Sequence, residues 1–361
     1  MWSDATPVSD TLKPKETWDI WDSTKCKAYM ACPRRFLYEY VFGWKKEGKS
    51  IHLNFGAAFH EGMEVIIDNL GSSLSQKEVL DDAMHEFMKS YRSFYPSESE
   101  DALNDPKDPA HAEMAYNTYL ARYSDERFRP LHTELPGQVT ISKDHSIHFK
   151  IDSIVEALAG HNSYAGICSL EHKTASRNSS AWREGWHTAL QPTVYAHALN
   201  CMYGEERDDG TVDLGNIGPV IINGLIIRKH DVGLERVPVV KNNDQMREWI
   251  WEIRYLFQMI DHDMGILMET KPDEPILRAF PKNTTACTDW GSPCPYIDFC
   301  MAGKNPVSIA ESAPYGFEEF HWNPHKEHES VGDKELIIED GKAEIRAKKT
   351  GPAVSEDVAG A

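Results

Sequence analysis

The chain has 361 residues, 41% of them hydrophobic and 10% aromatic, with 38 Lys and Arg against 57 Asp and Glu for a formal net charge of −19. Such a composition belongs to a folded globular protein with one large core or two modest ones, and no apolar run is long enough for a helical membrane span. The acidity argues against a tight non-specific grip on duplex nucleic acid, and seven cysteines in a chain this long are not a disulfide framework.

Residues 1–17 are polar, carry Pro7 and Pro14, and read as a flexible arm. The start Met1-Trp2-Ser3-Asp4 lacks the basic-then-apolar layout of a secretory leader, so the expected location is the cytoplasm. A helix is expected from Asp22 or Ser23, either of which can cap it, and a second turn from Cys32-Pro33, with Phe36, Leu37, Tyr40 and Val41 at helical spacing. Gly56 to Leu70 reads as a helix, and Ser75-Gln76-Lys77-Glu78 as a capping box opening another. The acidic, proline-containing stretch from Ser97 to Pro109 reads as a loop. Strands are expected over 138–143, 146–157 and 165–174, with Gly160 and Asn162 in the turn between the last two. A helix from Thr188 to Met202, a strand or strand pair from Pro219 to Lys229, and a long helix from Asp244 complete a mixed α/β core preceded by helical elements. Beyond Ala313 the composition drifts to Glu, Lys, Ala and Gly, so 313–361 reads as a tail, disordered from Gly351 to Ala361. The expected organisation is an arm (1–17), a single domain (18–312) and this tail.

The chemistry concentrates at Asp152 and Glu171-His172-Lys173. Side chains on a strand alternate, so Glu171 and Lys173 share a face while His172 points away. With Asp152 on the neighbouring strand, two carboxylates can chelate a hard divalent cation. Such an ion acidifies a water and polarises a phosphodiester, while Lys173 orients the water and neutralises charge on the phosphate. Taken alone, acid-then-Glu-x-Lys is also the pattern of an ordinary surface strand. Its neighbours add weight: His60, expected early in a helix behind Gly56, a glycine that permits close approach, can serve as a neutral imidazole ligand, and Gln191 and Tyr195 share a helix face just after the strand. Glu134 offers one more carboxylate.

Cys287, Cys294 and Cys300 crowd one segment broken by proline and glycine, one short of a four-cysteine site. Cys32 is the best fourth ligand and Cys26 a poorer one; Cys168 and Cys201 sit in apolar runs as small hydrophobes. Spacing leaves zinc and [4Fe–4S] both open.

In this order the residues resemble the RecB-like branch of the PD-(D/E)xK nucleases, and specifically its iron–sulfur subgroup, which includes AddB-type nuclease domains and phage exonuclease-like proteins. The resemblance runs from Ser23 to Cys300. It implies a restriction-endonuclease-like α/β core and metal (Mg²⁺ or Mn²⁺) held by His60, Asp152, Glu171 and the peptide carbonyl of His172. It further implies Lys173 as the catalytic lysine, Gln191 with Tyr195 as an auxiliary motif, and Cys32, Cys287, Cys294 and Cys300 as ligands of a [4Fe–4S] cluster, with structural zinc the alternative. Pro192 departs from easy expectation, because inside the Gln-x-x-x-Tyr helix it is tolerated only in the first turn.

The function so implied is a metal-dependent DNA exonuclease in end processing, recombination or replication, in a bacterial or phage-infected cell. No Gly-x-x-x-x-Gly-Lys-Ser/Thr phosphate loop is present, so any ATP-driven unwinding belongs to a helicase or recombination partner. The competing expectation is a non-catalytic nucleic-acid or partner-binding protein that keeps the fold.

Overall fold

A computed structural model describes residues 12–48, 50–123, 125–158, 160, 163–208, 212–323 and 334–348. Asn162, the segment 351–361 and most of the N-terminal arm lie outside the described residues.

In chain order, β1 (Trp21–Asp22) leads into α1 (Ser23–Ala31), capped by Asp22, whose carboxylate accepts the Lys25 N–H at 2.7 Å. α2 (Pro33–Phe36) continues into a π-helical turn over Leu37–Val41, followed by β2 (Trp44–Lys46). Then come α3 (Ile51–Asp68), α4 (Gln76–Phe94), α5 (Asp101–Asn104) and α6 (Pro109–Arg122). The capping box of α4 forms as its sequence requires, with Ser75 and Glu78 satisfying each other's backbone N–H. The stretch expected as a loop after Ser97 instead winds into short helical turns over Glu98–Glu100 and Asp101–Asn104, and α6 follows behind Asp108, which caps it.

The strands β3 (Phe128–Thr140), β4 (Ser146–Ala157) and β5 (Gly166–Ala175) come next, then α7 (Ser180–Thr188) and α8 (Leu190–Tyr203). The short β6 (Glu205–Glu206) and β7 (Val212–Asp213) pair with each other before β8 (Ile217–Ile227), β9 (Val232–Val239) and the long α9 (Asn243–Glu269). α10 (Ile297–Met301) lies among the late cysteines, and β10 (Phe317–Glu319), β11 (Lys334–Glu339) and β12 (Lys342–Ala347) close the described chain. Pro192 is the third residue of α8, inside the first turn, where its missing N–H costs no helical hydrogen bond.

Among the described residues, eight strands form the central mixed sheet, in the order β12-β11-β3-β4-β5-β8-β9 with β1 added parallel to β4. β3–β4, β4–β5 and β8–β9 are antiparallel; β5–β8 and β11–β3 are parallel. One face packs on α1, α8 and α9 through residues such as Trp21, Val194, Leu199 and Phe257. The other packs on α3, α4 and α6, where Phe55, Phe59, Phe87 and Tyr116 meet Leu225 and Ile227 of β8. A strand covered on both faces is apolar throughout rather than alternating, which is why Val220 to Ile227 read as two blocks of aliphatic residues.

Two boundaries differ from the sequence expectation. Leu12 is buried, and the buried Lys25 ammonium donates to the carbonyls of Thr17 and Ile20, both at 2.6 Å, so the described end of the arm is tied to α1. The stretch beyond Ala313 is likewise more than a tail. β10 pairs with β2, and β11 extends the sheet beside β3, burying Leu336 and Ile338. The strand has a core of three buried aliphatic residues, Leu336-Ile337-Ile338, flanked on both sides by Glu and Lys that give the stretch its polar composition. No described helix is long and apolar enough to cross a membrane.

Candidate active site

The site occupies a fork in the sheet. β4 pairs with β1 at Ile147 and His148, and with β5 only from Ser153 onward. Between those contacts the edge of β4 from Phe149 to Asp152 parts from β5, opening a cleft of about 580 Å³ whose lining includes His60, Lys150, Asp152, Glu171, Lys173, Gln191 and Tyr195. The carbonyl of Lys150, left without a strand partner there, accepts the Tyr195 hydroxyl. Asp152 bridges the fork by accepting the His172 backbone N–H at 2.8 Å. The acid and the Glu-x-Lys segment are thus joined across two strands that no longer pair.

α3 lays His60 over this fork, with its Nδ1 3.3 Å from Asp152 Oδ2. His60 lies in the middle of the 18-residue α3 rather than early in it. Gly56 is not a tight approach either: a methyl group there would meet only Thr174 Oγ1, at 4.0 Å, an ordinary contact. On the opposite side α8 presents Gln191, whose amide donates to Glu171 Oε1 and to Tyr195 Oη, each at 2.9 Å. Lys173 pairs with Glu171 Oε1 as strand alternation requires. His172 points away, its ring edge-on to those of His60 and Tyr119.

In the fork, His60, Glu134 and Asp152 offer potential ligand atoms that all lie within 4.8 Å of one another. The pairs Thr133–Ser153 and Leu135–Ile151 put Glu134 across from Asp152. Glu134 adopts φ 45°, a left-handed conformation that costs a non-glycine residue about 1–2 kcal/mol, and its carboxylate pairs with Lys150. Sequence spacing gave this residue little weight. Its signal was a single acid between His132-Thr133 and Leu135-Pro136 in a strand without neighbouring carboxylates, and only the strand register brings it to Asp152. Glu171 lies outside that tight trio, and its Oε2 is buried with no hydrogen-bond partner.

Burial and mutual repulsion set the protonation of this cluster. Burial, then the neighbouring Asp152, pushes both Glu134 and Glu171 up to about 7. For Asp152 the burial penalty is outweighed by His60, Lys173 and His172, which hold it well below the usual carboxylate range. Burial opposes the charged form of His60, but Asp152 prevails and raises it. Lys173 is likewise raised, burial being overcome by Glu171 and Asp152. The His172 ring is held neutral, pushed down to about 3 by burial.

The donor set fits a hard divalent cation: an imidazole, three carboxylates, protons held where negative charge is crowded, and one orphaned carboxylate oxygen. Such an ion supplies Lewis acidity toward a phosphodiester. The chain's own residues do the rest. Lys173 remains a cation beside Glu171, so it can donate to water or a phosphate oxygen but is not poised as a base. Gln191 and Tyr195 fix Glu171 and the open edge of β4. Trp322, from the segment expected as tail, donates to the Asp22 carboxylate at 3.0 Å and completes the cleft wall.

Away from the cleft, Cys32, Cys287, Cys294 and Cys300 line a single cavity of about 250 Å³ with Arg35 and Lys282. All seven cysteines are free thiols. Cys32 Sγ accepts the Asn283 N–H at 3.4 Å, and the Cys294 N–H donates to the Cys287 carbonyl at 2.8 Å. Cys26 is fully buried apart from this set, as are Cys168 and, less completely, Cys201. Among the described residues no three cysteine sulfurs lie within 4.8 Å of one another. Zinc–sulfur bonds of about 2.3 Å would hold four sulfurs closer than that, roughly 3.8 Å apart.

Comparison with curated proteins returns no match. Residues 23–301 match the family described as the PD-(D/E)XK nuclease superfamily, a span running from the first residue of α1 to the last of α10 and including every residue of the fork named above except Asp22 and Trp322. The chain belongs to the PD-(D/E)XK nuclease superfamily.

Proposed function

We propose that the protein is a divalent-metal-dependent DNA exonuclease of the RecB-like, iron–sulfur type. The observation that carries the reading is the fork, which gathers His60, Asp152, Glu171 and Lys173 into one cleft, with Glu134 within 4.8 Å of His60 and Asp152 beside it. His60, Asp152, Glu171 and the His172 carbonyl hold Mg²⁺ or Mn²⁺, and Glu134 joins them. Lys173 acts on the attacking water and the phosphate, with Gln191 and Tyr195 positioning Glu171. Cys32, Cys287, Cys294 and Cys300 hold a [4Fe–4S] cluster, a reading supported by the single cavity that all four line. A single nuclease domain spans 18–312, with β10–β12 as an accessory edge.

The test is a gel assay with end-labelled single-stranded, duplex and circular DNA in Mg²⁺ or Mn²⁺. Wild-type protein shortens linear DNA from its ends and spares circles, and Lys173→Ala stops this while its circular dichroism stays unchanged. Binding without cleavage under every divalent metal would make the protein a nucleic-acid-binding relative instead. Iron with acid-labile sulfide in a brown preparation supports the cluster, and stoichiometric zinc in a colourless one rejects it.

A further inference from the structure

We propose that Asn223 is a positioning residue for the metal site, acting through His172 from the face of the sheet opposite Glu171 and Lys173. The inference rests on the nuclease reading above. Asn223 lies on β8 in direct register with His172 on β5, and both are buried, at 2% exposure each. Its amide nitrogen donates to the Tyr119 hydroxyl at 3.1 Å and stands 3.5 Å from His172 Nδ1. Its carbonyl oxygen accepts from Arg236 Nε at 2.6 Å. Arg236 is itself locked: its Nη1 donates to both oxygens of Glu126, at 2.6 and 2.7 Å, and its guanidinium lies 3.6 Å from the ring centre of Tyr123. Glu126, Arg236, Asn223 and His172 therefore form one chain of polar contacts that runs from half-buried Glu126 and Arg236 to the buried Asn223 and His172.

That chain ends on the peptide unit that matters. The His172 backbone N–H holds Asp152, and the His172 ring lies edge-on to His60. A ring fixed by Asn223 fixes the peptide that orients Asp152 and limits where His60 can swing. The amide orientation follows from the network: with its oxygen on Arg236, the nitrogen must face His172, so Nδ1 is the acceptor and the imidazole proton sits on Nε2. A buried amide in the middle of an aliphatic strand, with both its ends engaged, is costly to place there for packing alone. Partners one step behind metal ligands commonly change metal affinity or activity by about 10–100-fold when removed.

Asn223→Asp keeps the acceptor for Arg236 and removes the donor facing His172. Mn²⁺ binding to the variant is followed by calorimetry without DNA, and the Mn²⁺ dependence of DNA degradation beside it. The expected result is Mn²⁺ affinity weakened about 10-fold or more, activity recovered at saturating Mn²⁺, KM for DNA unchanged, and an unaltered circular dichroism spectrum. Wild-type affinity and wild-type Mn²⁺ dependence in the variant overturn the proposal. Should the variant fail to fold, ¹⁵N spectra of the wild-type chain still decide: a His172 proton on Nε2 supports the relay, and one on Nδ1 overturns it. A wild-type protein that binds no divalent ion and cuts no DNA overturns the nuclease reading itself, an outcome separate from the variant's.

Discussion

The fork and the cysteine cavity are both built from distant parts of the chain, yet they treat charge differently. In the fork the three carboxylates of the candidate metal site each face an internal basic group: Lys150 for Glu134, Lys173 for Glu171, His60 for Asp152. Those contacts hold the cleft in shape with no ion bound, so metal removal should silence it without melting it. The four thiols of the cavity face cations without pairing one to one: Arg35 lies near Cys294, and Lys282 and Arg34 near Cys300. Cys32 accepts one backbone N–H, and Arg35 and Lys282 line the walls. They nonetheless join the turn between α1 and α2 to the segment around α10, more than 250 residues later. The cluster proposed to bridge them would contribute to folding, whereas an ion in the fork would contribute to chemistry.

The sharpest break of this comparison is Lys173→Ala. Activity on linear DNA should fall on the order of 10²–10³-fold, as when one charge-stabilising donor is removed, while the melting temperature stays near wild type. A melting temperature that collapses with the activity would put Lys173 among the folding elements. Cys287→Ser tests the other side. Loss of one cysteine should cost several kcal/mol, at roughly 2–4 °C of melting temperature for each, and this loss should appear with or without Mg²⁺. If stability is untouched, the cavity does not clamp the chain ends.

Glu134→Gln separates the strained acid from its neighbours. We expect weaker Mn²⁺ binding by about 10-fold, with an unchanged requirement for Lys173. Identical Mn²⁺ titrations of variant and wild type would show that the left-handed backbone at Glu134 serves packing alone.

The pH dependence follows from the same charges. Glu134 and Glu171, raised to about 7, keep protons in the folded chain that the unfolded chain has already lost above its ordinary carboxylate range. His60, also raised, keeps its proton longer than a free imidazole. The ion-free fold therefore loses stability as pH rises toward and through 7. A divalent ion must displace those protons, so its affinity rises over the same range. His172, held down near 3, works in the opposite sense only below about 6.5, the free imidazole value. The stabilisation that Mg²⁺ adds in thermal melts should thus be larger at pH 8 than at pH 6.5; an equal or smaller shift would take Glu134 and Glu171 out of the ion site. The smallest effect is expected from Asp22→Ala, which removes the cap of α1 and the Trp322 contact for about 1 kcal/mol, leaving the cysteine cavity as it was.

Much of the site was legible as a sequence because its parts obey local rules. Strand alternation put Glu171 and Lys173 on one face and turned His172 to the other. The four-residue spacing of Gln191 and Tyr195 put both on one side of α8, and the first-turn position of Pro192 is what helix geometry allows. The α4 capping box and the Asp22 cap were readable for the same reason: each needs only residues within one turn. Asn223 left a trace that went unread, a lone amide between Val220-Ile221-Ile222 and Leu225-Ile226-Ile227.

The amino-acid sequence by itself determined the mixed α/β character, the chemistry available at Asp152, Glu171 and Lys173, and the grouping of three late cysteines, since these depend on residue type and short-range periodicity. Only the tertiary structure decided that β4 and β5 part to make a cleft, that Glu134 groups with His60 and Asp152, and that the expected fourth cysteine, Cys32, lines one cavity with the late three. It also decided that the stretch beyond Ala313 joins the sheet through β11. Each of those depends on register or on contact between residues far apart in the chain, and neither hydrophobic period nor motif spacing carries that information.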